Sequence, residues 1–136
     1  MSDRPSFPPF PERQVLVLED NPAICTLLKT VLERRQYRVL TFGDPEAALP
    51  YFEADSRPVT FAIIDIGLAG MNGFEFAHRF RARQPRTVLI FTSGRPLEPD
   101  QRALPVCRNA LFLPKPFNLG QLGSLVDEVE RLTAAS

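Results

Sequence analysis

Five short apolar runs recur along the chain, and they constrain its fold more than any other feature. The runs are rich in β-branched and aromatic residues and have the length of strands rather than of helices. They lie at residues 15–18, 37–42, 61–64, 87–91 and 110–113. Because several of the runs are apolar throughout, we expect a parallel sheet that is covered on both faces.

The segments between the runs have helical periodicity. After Asn21 and Pro22, a capping residue and a proline suited to a first helical turn, apolar residues recur three and four positions apart as far as Leu32. Comparable segments lie at residues 44–54 and 72–83, and a further one begins at about residue 119. The alternation of strands and helices predicts an α/β fold, a doubly wound five-stranded parallel sheet with helices on both faces.

The predicted fourth helix, between Pro96 and Asn109, is interrupted by prolines. Pro99 and Pro105 lie within it, and a proline in a helix interior costs about 3 kcal/mol or more because it removes a hydrogen bond and clashes with the preceding turn. We therefore expect this helix to be short, kinked or irregular.

The length of 136 residues suits one domain. Four of the 14 prolines fall within residues 1–13, and such a composition predicts a flexible, polyproline-like tail. We expect residues 14–134 to form the folded domain.

The charge and cysteine content exclude several classes of protein. Sixteen basic residues balance 16 acidic residues, so the composition gives no indication of a nucleic-acid-binding surface. No apolar run approaches the length of a membrane span, and no signal peptide is evident. Cys25 and Cys107 are too few for a disulfide framework. We expect a cytoplasmic protein that binds neither nucleic acid nor a membrane.

Polar residues follow four of the five predicted strands. Glu19 and Asp20 follow the first strand and Asp65 the third, Thr92 and Ser93 follow the fourth, and Lys115 follows the fifth. Since the carboxyl ends of parallel strands share one edge of a sheet, these side chains are expected to meet in one crevice. Three neighbouring carboxylates repel one another unless a cation compensates. Mg²⁺, or Mn²⁺, is the cation that such oxygen ligands favour.

A carboxylate neutralised in this way can act as a nucleophile toward a phosphoryl donor. The hydroxyl of Thr92 would then donate to a phosphoryl oxygen, a contact that exists only after the modification. Each residue alone also has an ordinary structural interpretation. Glu19 and Asp20 would favour the N-terminus of the following helix, and Thr92 would cap one. Only their joint occurrence indicates a site.

Four segments in this order resemble the receiver domain of two-component response regulators. They are VLVLEDNP at 15–22, IIDIGLAGMNGFEF at 63–76, FTSG at 91–94 and FLPKPF at 112–117. The resemblance covers about residues 14–134. It implies a flavodoxin-like sheet with the strand order 2-1-3-4-5.

The resemblance also assigns roles around a metal ion. It makes Asp65 the phosphoacceptor and a metal ligand, with Asp20 as a second direct ligand. Glu19 would act through metal-bound water, and Gly67 would contribute its backbone carbonyl.

The remaining motif residues would bind the phosphoryl group and take part in the conformational change that follows. By resemblance, Thr92 is the switch hydroxyl, Lys115 the phosphate-binding ammonium, and Phe112 the aromatic residue that moves with Thr92. Ser93 and Pro116 would support the surrounding loops.

The function implied is that of a single-domain response regulator. It would receive its phosphoryl group from a sensor histidine kinase or a histidine phosphotransfer protein. It would then either dock on a downstream protein target or relay the phosphate. It would assist its own phosphorylation and dephosphorylation without turning over free substrates, so it would not be an enzyme in the usual sense. The alternatives are a receiver-like binding module that has lost phosphorylation and a hydrolase that works through an aspartyl phosphate.

Overall fold

The structure, a computed structural model, describes residues 13–54, 57–68 and 72–134. The predicted flexible tail at residues 1–13 lies outside these residues, apart from Arg13. In the described part of the chain, no helix combines the length and apolar content needed to cross a membrane.

Strands and helices alternate in the predicted order. The strands are β1 (Gln14–Leu18), β2 (Arg38–Phe42), β3 (Val59–Asp65), β4 (Val88–Ser93) and β5 (Leu111–Pro114). The helices are α1 (Pro22–Arg34), α2 (Pro45–Ala54), α3 (Gly73–Arg83), α4 (Pro99–Arg102) and α5 (Leu119–Ala134), and a 3₁₀ helix spans Pro105–Cys107.

The five strands form one parallel sheet in the order β2-β1-β3-β4-β5. This arrangement confirms the predicted fold class and strand order. In the register of the sheet, Asp65 pairs with Thr92 and Ser93 pairs with Pro114. The residues at the carboxyl ends of the three strands β3, β4 and β5 therefore lie side by side.

Alternate residues of the strands point into two separate cores. On one face, Val15 and Val17 pack with residues of α1 and α5, such as Leu28 and Val126. The opposite face packs against α2 and α3 through aromatic residues, which are Phe52, Phe74, Phe76, Phe80 and Phe91. Coverage on both faces explains why the strands are apolar throughout.

Helix α4 has only four residues, which confirms the prediction of a short or irregular fourth helix. Pro99 occupies the first turn of α4, and Pro105 begins the 3₁₀ helix. N–H groups at these positions have no partner within the helix, so neither proline removes a helical hydrogen bond. The prolines thus divide the segment into two short pieces in place of one long helix. Phe112 on the edge strand β5 keeps 37% of its surface exposed.

Gly73 begins α3 in close contact with the end of β3. A Cβ atom at this position would lie 2.7 Å from the carbonyl oxygen of Asp65 and 2.7 Å from the Cα atom of Ile66. Both are backbone atoms, so neither can move aside without shifting the strand end. Gly73 therefore permits the close approach of α3 to the backbone that carries Asp65.

We predict that Gly73→Ala lowers the free energy of unfolding by about 1 to 3 kcal/mol, the usual range for overpacking. Gly94→Ala is the matched control, since a Cβ atom there would meet no atom within 4 Å. Urea denaturation of both variants and the parent chain measures the difference. Equal stability of the two variants would contradict the proposed close contact.

Candidate functional site

Backbone hydrogen bonds continue the sheet beyond the ends of its strands. The N–H of Ile66 donates to the carbonyl of Thr92 at 3.1 Å, and the N–H of Lys115 donates to the carbonyl of Ser93 at 2.8 Å. These bonds hold the residues that follow β3 and β5 on either side of the end of β4. The position of Lys115 relative to Asp65 is therefore set by the sheet itself.

The side chain of Lys115 bridges two carboxylates. Its Nζ atom lies 2.9 Å from Oε1 of Glu19 and 3.0 Å from Oδ2 of Asp65. The carboxyl ends of β1, β3 and β5 therefore meet in one crevice through a single ammonium group. Ion pairs that are partly shielded from water are screened less by salt than exposed pairs.

Backbone groups hold the remaining carboxylate oxygens. The N–H of Asn21 donates to Oε2 of Glu19 at 3.1 Å, and the N–H of Gly67 donates to Oδ1 of Asp65 at 2.9 Å. Both carboxylates are thereby fixed in orientation as well as in position.

Burial differs among the three acids, and it affects the protonation of Glu19. Glu19 and Asp65 are buried, with 3% and 7% of their surfaces exposed, whereas Asp20 is exposed. Burial raises the pKa of the Glu19 carboxyl above its ordinary value, although its hydrogen bond with Lys115 partly offsets this effect. Burial acts to lower the pKa of Lys115, but its hydrogen bonds to Glu19 and Asp65 outweigh burial and raise that pKa. The ammonium therefore stays charged.

The acids fit a divalent cation. Glu19, Asp20 and Asp65 each offer a carboxylate oxygen, and these oxygens lie within 4.8 Å of one another. Three carboxylates face one ammonium group in the crevice, which leaves a formal charge of −2. A divalent cation that prefers oxygen ligands would balance this charge.

The hydroxyl of Thr92 lies in a buried position. Only 1% of the residue is exposed, and its Oγ1 atom makes no hydrogen bond within the described part of the chain. A buried polar group in this state costs about 1 to 3 kcal/mol. Thr92 pairs with Asp65 across the sheet, so this hydroxyl belongs to the same edge as the acids.

The structure places the other predicted site residues around this edge. Ser93 accepts the N–H of Arg95 at 3.0 Å through its hydroxyl, and Pro116 follows Lys115 across a cis peptide bond. Phe112 is opposite Phe91 in the register of β4 and β5, with ring centroids 6.0 Å apart. The assigned roles of these residues, like that of the Gly67 carbonyl, stay predictions.

The sequence did not indicate three features of the site. These are the contact of Lys115 with Glu19, the backbone bond from Asn21 to Glu19, and the packing of Gly73 beneath Asp65. Two features of the sequence could have indicated them. One is the capping asparagine directly after the acidic pair, and the other is the glycine directly after the capping residue Asn72.

Comparisons with known proteins agree on one family. The family model for the response regulator receiver domain matches residues 15–127. Response regulator GtcR of Aneurinibacillus migulanus is 33% identical over 107 residues, which cover 78% of this chain and 43% of GtcR. The chain therefore spans less than half the length of that relative.

Two further proteins match over nearly their whole length. The response regulator receiver protein CpdR of Brucella abortus is 30% identical over 127 residues, covering 91% of this chain and 99% of CpdR. The response regulator TrrA of Thermotoga maritima, solved in complex with Mg(2+)-BeF, is 26% identical with a TM-score of 0.69. That alignment covers 86% of this chain and 98% of TrrA.

We predict that Lys115→Met lowers the free energy of unfolding by about 2 to 4 kcal/mol in buffer without divalent cations, because two buried carboxylates lose their cation. Lys29→Met removes an exposed lysine from α1 and serves as the control, with little change expected. Urea denaturation in the presence of a chelator measures both. If the two substitutions have equal effects, the bridge contributes nothing to folding.

Proposed function

The chain belongs to the response regulator receiver domain family, and on that basis we propose that it accepts a phosphoryl group on Asp65. The observation that carries this proposal is the double contact of the Lys115 ammonium with Glu19 and Asp65, at 2.9 and 3.0 Å. This contact lies within a cluster of three carboxylates. An acceptor carboxylate, a cation beside it and a set of oxygen ligands are the parts that phosphoryl transfer to an aspartate needs.

The transfer is a substitution at phosphorus. An oxygen of Asp65 forms a bond to the phosphorus atom of a phosphohistidine, and the bond from phosphorus to the imidazole nitrogen breaks. The electron pair stays with that nitrogen, which takes up a proton. Lys115, already within hydrogen-bonding distance of Asp65, stabilises the negative charge on the phosphoryl oxygens.

We propose that Asp20 and Asp65 hold Mg²⁺ or Mn²⁺ directly, with Glu19 acting through water and Gly67 through its carbonyl. When bound, the ion would balance the charge of the carboxylates and help to stabilise negative charge on the phosphoryl oxygens. The formal charge of −2 in the crevice supports this assignment, as does the Mg²⁺ present in the structure of TrrA. The orientation of Glu19 and Asp65 is already set by backbone N–H groups, so little reorganisation is required.

We propose that Thr92 couples phosphorylation of Asp65 to a conformational change. Its buried hydroxyl has no hydrogen-bond partner in the described structure, and a phosphoryl oxygen on Asp65 would supply one. This new bond favours a conformation in which the end of β4 lies closer to Asp65, and so it shifts a two-state equilibrium. Phe112, beside β4 in the sheet, would change its position with Thr92.

The proposed partners follow from this chemistry. The phosphoryl group comes from a sensor histidine kinase or a histidine phosphotransfer protein. The modified domain then either docks on a downstream protein or passes the phosphate on. It acts in the cytoplasm, and it does not turn over free substrates or bind nucleic acid.

We predict that incubation with acetyl phosphate and Mg²⁺ adds the mass of one phosphoryl group to the chain. Asp65→Asn abolishes this gain because an amide is a poor nucleophile. Asp100→Asn, which removes an exposed acid from α4, retains it. Intact-protein mass spectrometry provides the measurement. The absence of an adduct with any small donor would instead favour a binding module that has lost phosphorylation.

We also predict that Mg²⁺ stabilises the unmodified domain. At a concentration ten times its dissociation constant, a ligand specific to the folded state adds about 1.4 kcal/mol. Thermal unfolding with and without MgCl₂ detects this effect, which Asp20→Asn removes and Asp100→Asn leaves in place. A similar stabilisation of both variants would show that the ion binds elsewhere.

A further inference from the structure

A groove separates helix α3 from the 3₁₀ helix that follows α4. We call this cavity of about 350 Å³ the α3 groove, and its volume falls within the range of about 300 to 1,000 Å³ that is typical of ligand-binding sites. Its lining residues are His78, Arg81, Ala82, Pro105, Val106 and Arg108. None of them belongs to the site at the strand ends, so the groove is a separate feature of the surface.

Positive charge is concentrated at this groove. Its charged lining residues are Arg81 and Arg108, and no carboxylate is among the lining residues that the structure describes. The surrounding sequence is also basic, since residues 76–97 contain five arginines and neither aspartate nor glutamate. The whole chain, in contrast, balances 16 basic with 16 acidic residues. Charge is therefore unevenly distributed, and the α3 groove attracts anions.

Arg81 is held in a fixed orientation at the groove. Its Nη1 atom donates to the carbonyl oxygens of Gln84 and Pro85, at 3.1 and 2.9 Å. Burial lowers the pKa of the guanidinium, but an arginine side chain stays protonated in proteins. This charge has lost part of its hydration, and no carboxylate among the lining residues compensates the loss. An anionic ligand would supply the missing partner.

The other lining residues suit a ligand that is partly apolar. Arg108 is exposed, and its guanidinium makes no hydrogen bond or ion pair with any residue that the structure describes. Val106 is buried, with 9% of its surface exposed, and Ala82 and Pro105 add further apolar surface. The groove therefore combines two cations with an apolar wall.

We propose that the α3 groove binds an acidic segment of a partner protein, in which carboxylates flank one apolar side chain. The carboxylates would pair with Arg81 and Arg108, and the apolar side chain would lie on Val106. Arginine clusters are a recurrent means of recognising acidic motifs, because the planar guanidinium group forms two parallel hydrogen bonds with a carboxylate. This binding does not depend on a phosphoryl group at Asp65.

An acidic protein segment matches the groove better than a nucleic-acid backbone does. A nucleic-acid-binding domain is usually strongly basic, whereas this chain has no net charge. Phosphate groups would also leave the apolar surface of Val106 uncovered, while a side chain from a protein would cover it. Charge and apolar surface together therefore favour the protein ligand.

The test uses three short synthetic peptides with a fluorescent label. The first has the core Glu-Glu-Leu-Glu-Glu, the second replaces each Glu by Gln, and the third replaces the Leu by Ser. Fluorescence anisotropy with the full-length chain is expected to show about tenfold tighter binding of the first peptide than of either other peptide, because charge and apolar contact both contribute. The difference between the Glu and Gln peptides should fall as salt is added. Equal affinities of the Glu and Gln peptides, or no binding of any peptide, would refute the proposal.

A charge-reversal variant locates the binding. Arg108→Glu should weaken binding of the first peptide about tenfold or more, because one attraction becomes a repulsion. Arg86→Glu makes the same change in charge at an exposed position outside the groove lining and should leave the affinity nearly unchanged at physiological salt. Thermal unfolding checks that both variants fold. Equal weakening in the two variants would refute the location.

A second pair of variants gives an independent test of the location. Ala82→Glu places a carboxylate at an exposed position in the groove lining, where it competes for the two arginines. It should weaken binding of the first peptide about tenfold. Ala103→Glu adds the same charge at an exposed position outside the lining and should not. Unchanged binding by Ala82→Glu would place the peptide elsewhere and overturn the proposal.

Other occupants give different results. A single-stranded oligonucleotide that bound as tightly as the first peptide, and lost affinity in Arg108→Glu, would make nucleic acid the ligand and overturn the proposal. If deletion of residues 1–12 increased the affinity for the peptide, the groove would belong to the N-terminal segment. Self-association that Arg108→Glu abolishes would assign the groove to a second copy of the chain. The proposal would fail in both of these cases too.

The acetyl phosphate assay separates this inference from the proposed function. Normal mass gain together with no peptide binding would overturn the role of the α3 groove alone. Peptide binding without mass gain would support the groove and overturn the proposed phosphoacceptor role.

Discussion

The ion pairs of Lys115 with Glu19 and Asp65 are the interaction on which the rest of the site depends. Without a cation, nothing would compensate the repulsion between the two buried carboxylates or the loss of their hydration. The ammonium offsets both effects and connects three loops that are far apart in sequence. One ammonium faces three acids, so a formal charge of −2 remains in the crevice.

The parallel sheet fixes the relative positions of the residues in this arrangement. Asp65 and Thr92 are paired in register, and backbone bonds hold Ile66 and Lys115 on either side of the end of β4. Gly73 allows α3 to pack directly beneath Asp65. Asp65 and Thr92 therefore lie within strands, and Glu19, Asp20 and Lys115 follow a strand end by only one or two residues.

The interrupted fourth helix leaves an opening beside β4 and β5. The lining of the opening beside α4 includes Leu97, Phe112, Arg95 and Arg102. This opening lies beside Lys115 and the end of β4.

The sequence by itself determined the order of strands and helices, the shortness of α4 and the set of polar residues at the strand ends. These features depend on local patterns: short apolar runs, helical spacing, prolines and the residues that follow each run. Only the tertiary structure decided that Lys115 contacts Glu19 as well as Asp65, and that a groove opens over β4 and β5. It also decided that the Thr92 hydroxyl is buried with no hydrogen-bond partner among the described residues. Such features arise between residues remote in sequence, because strand register and helix packing set their distances, and no local pattern contains that information.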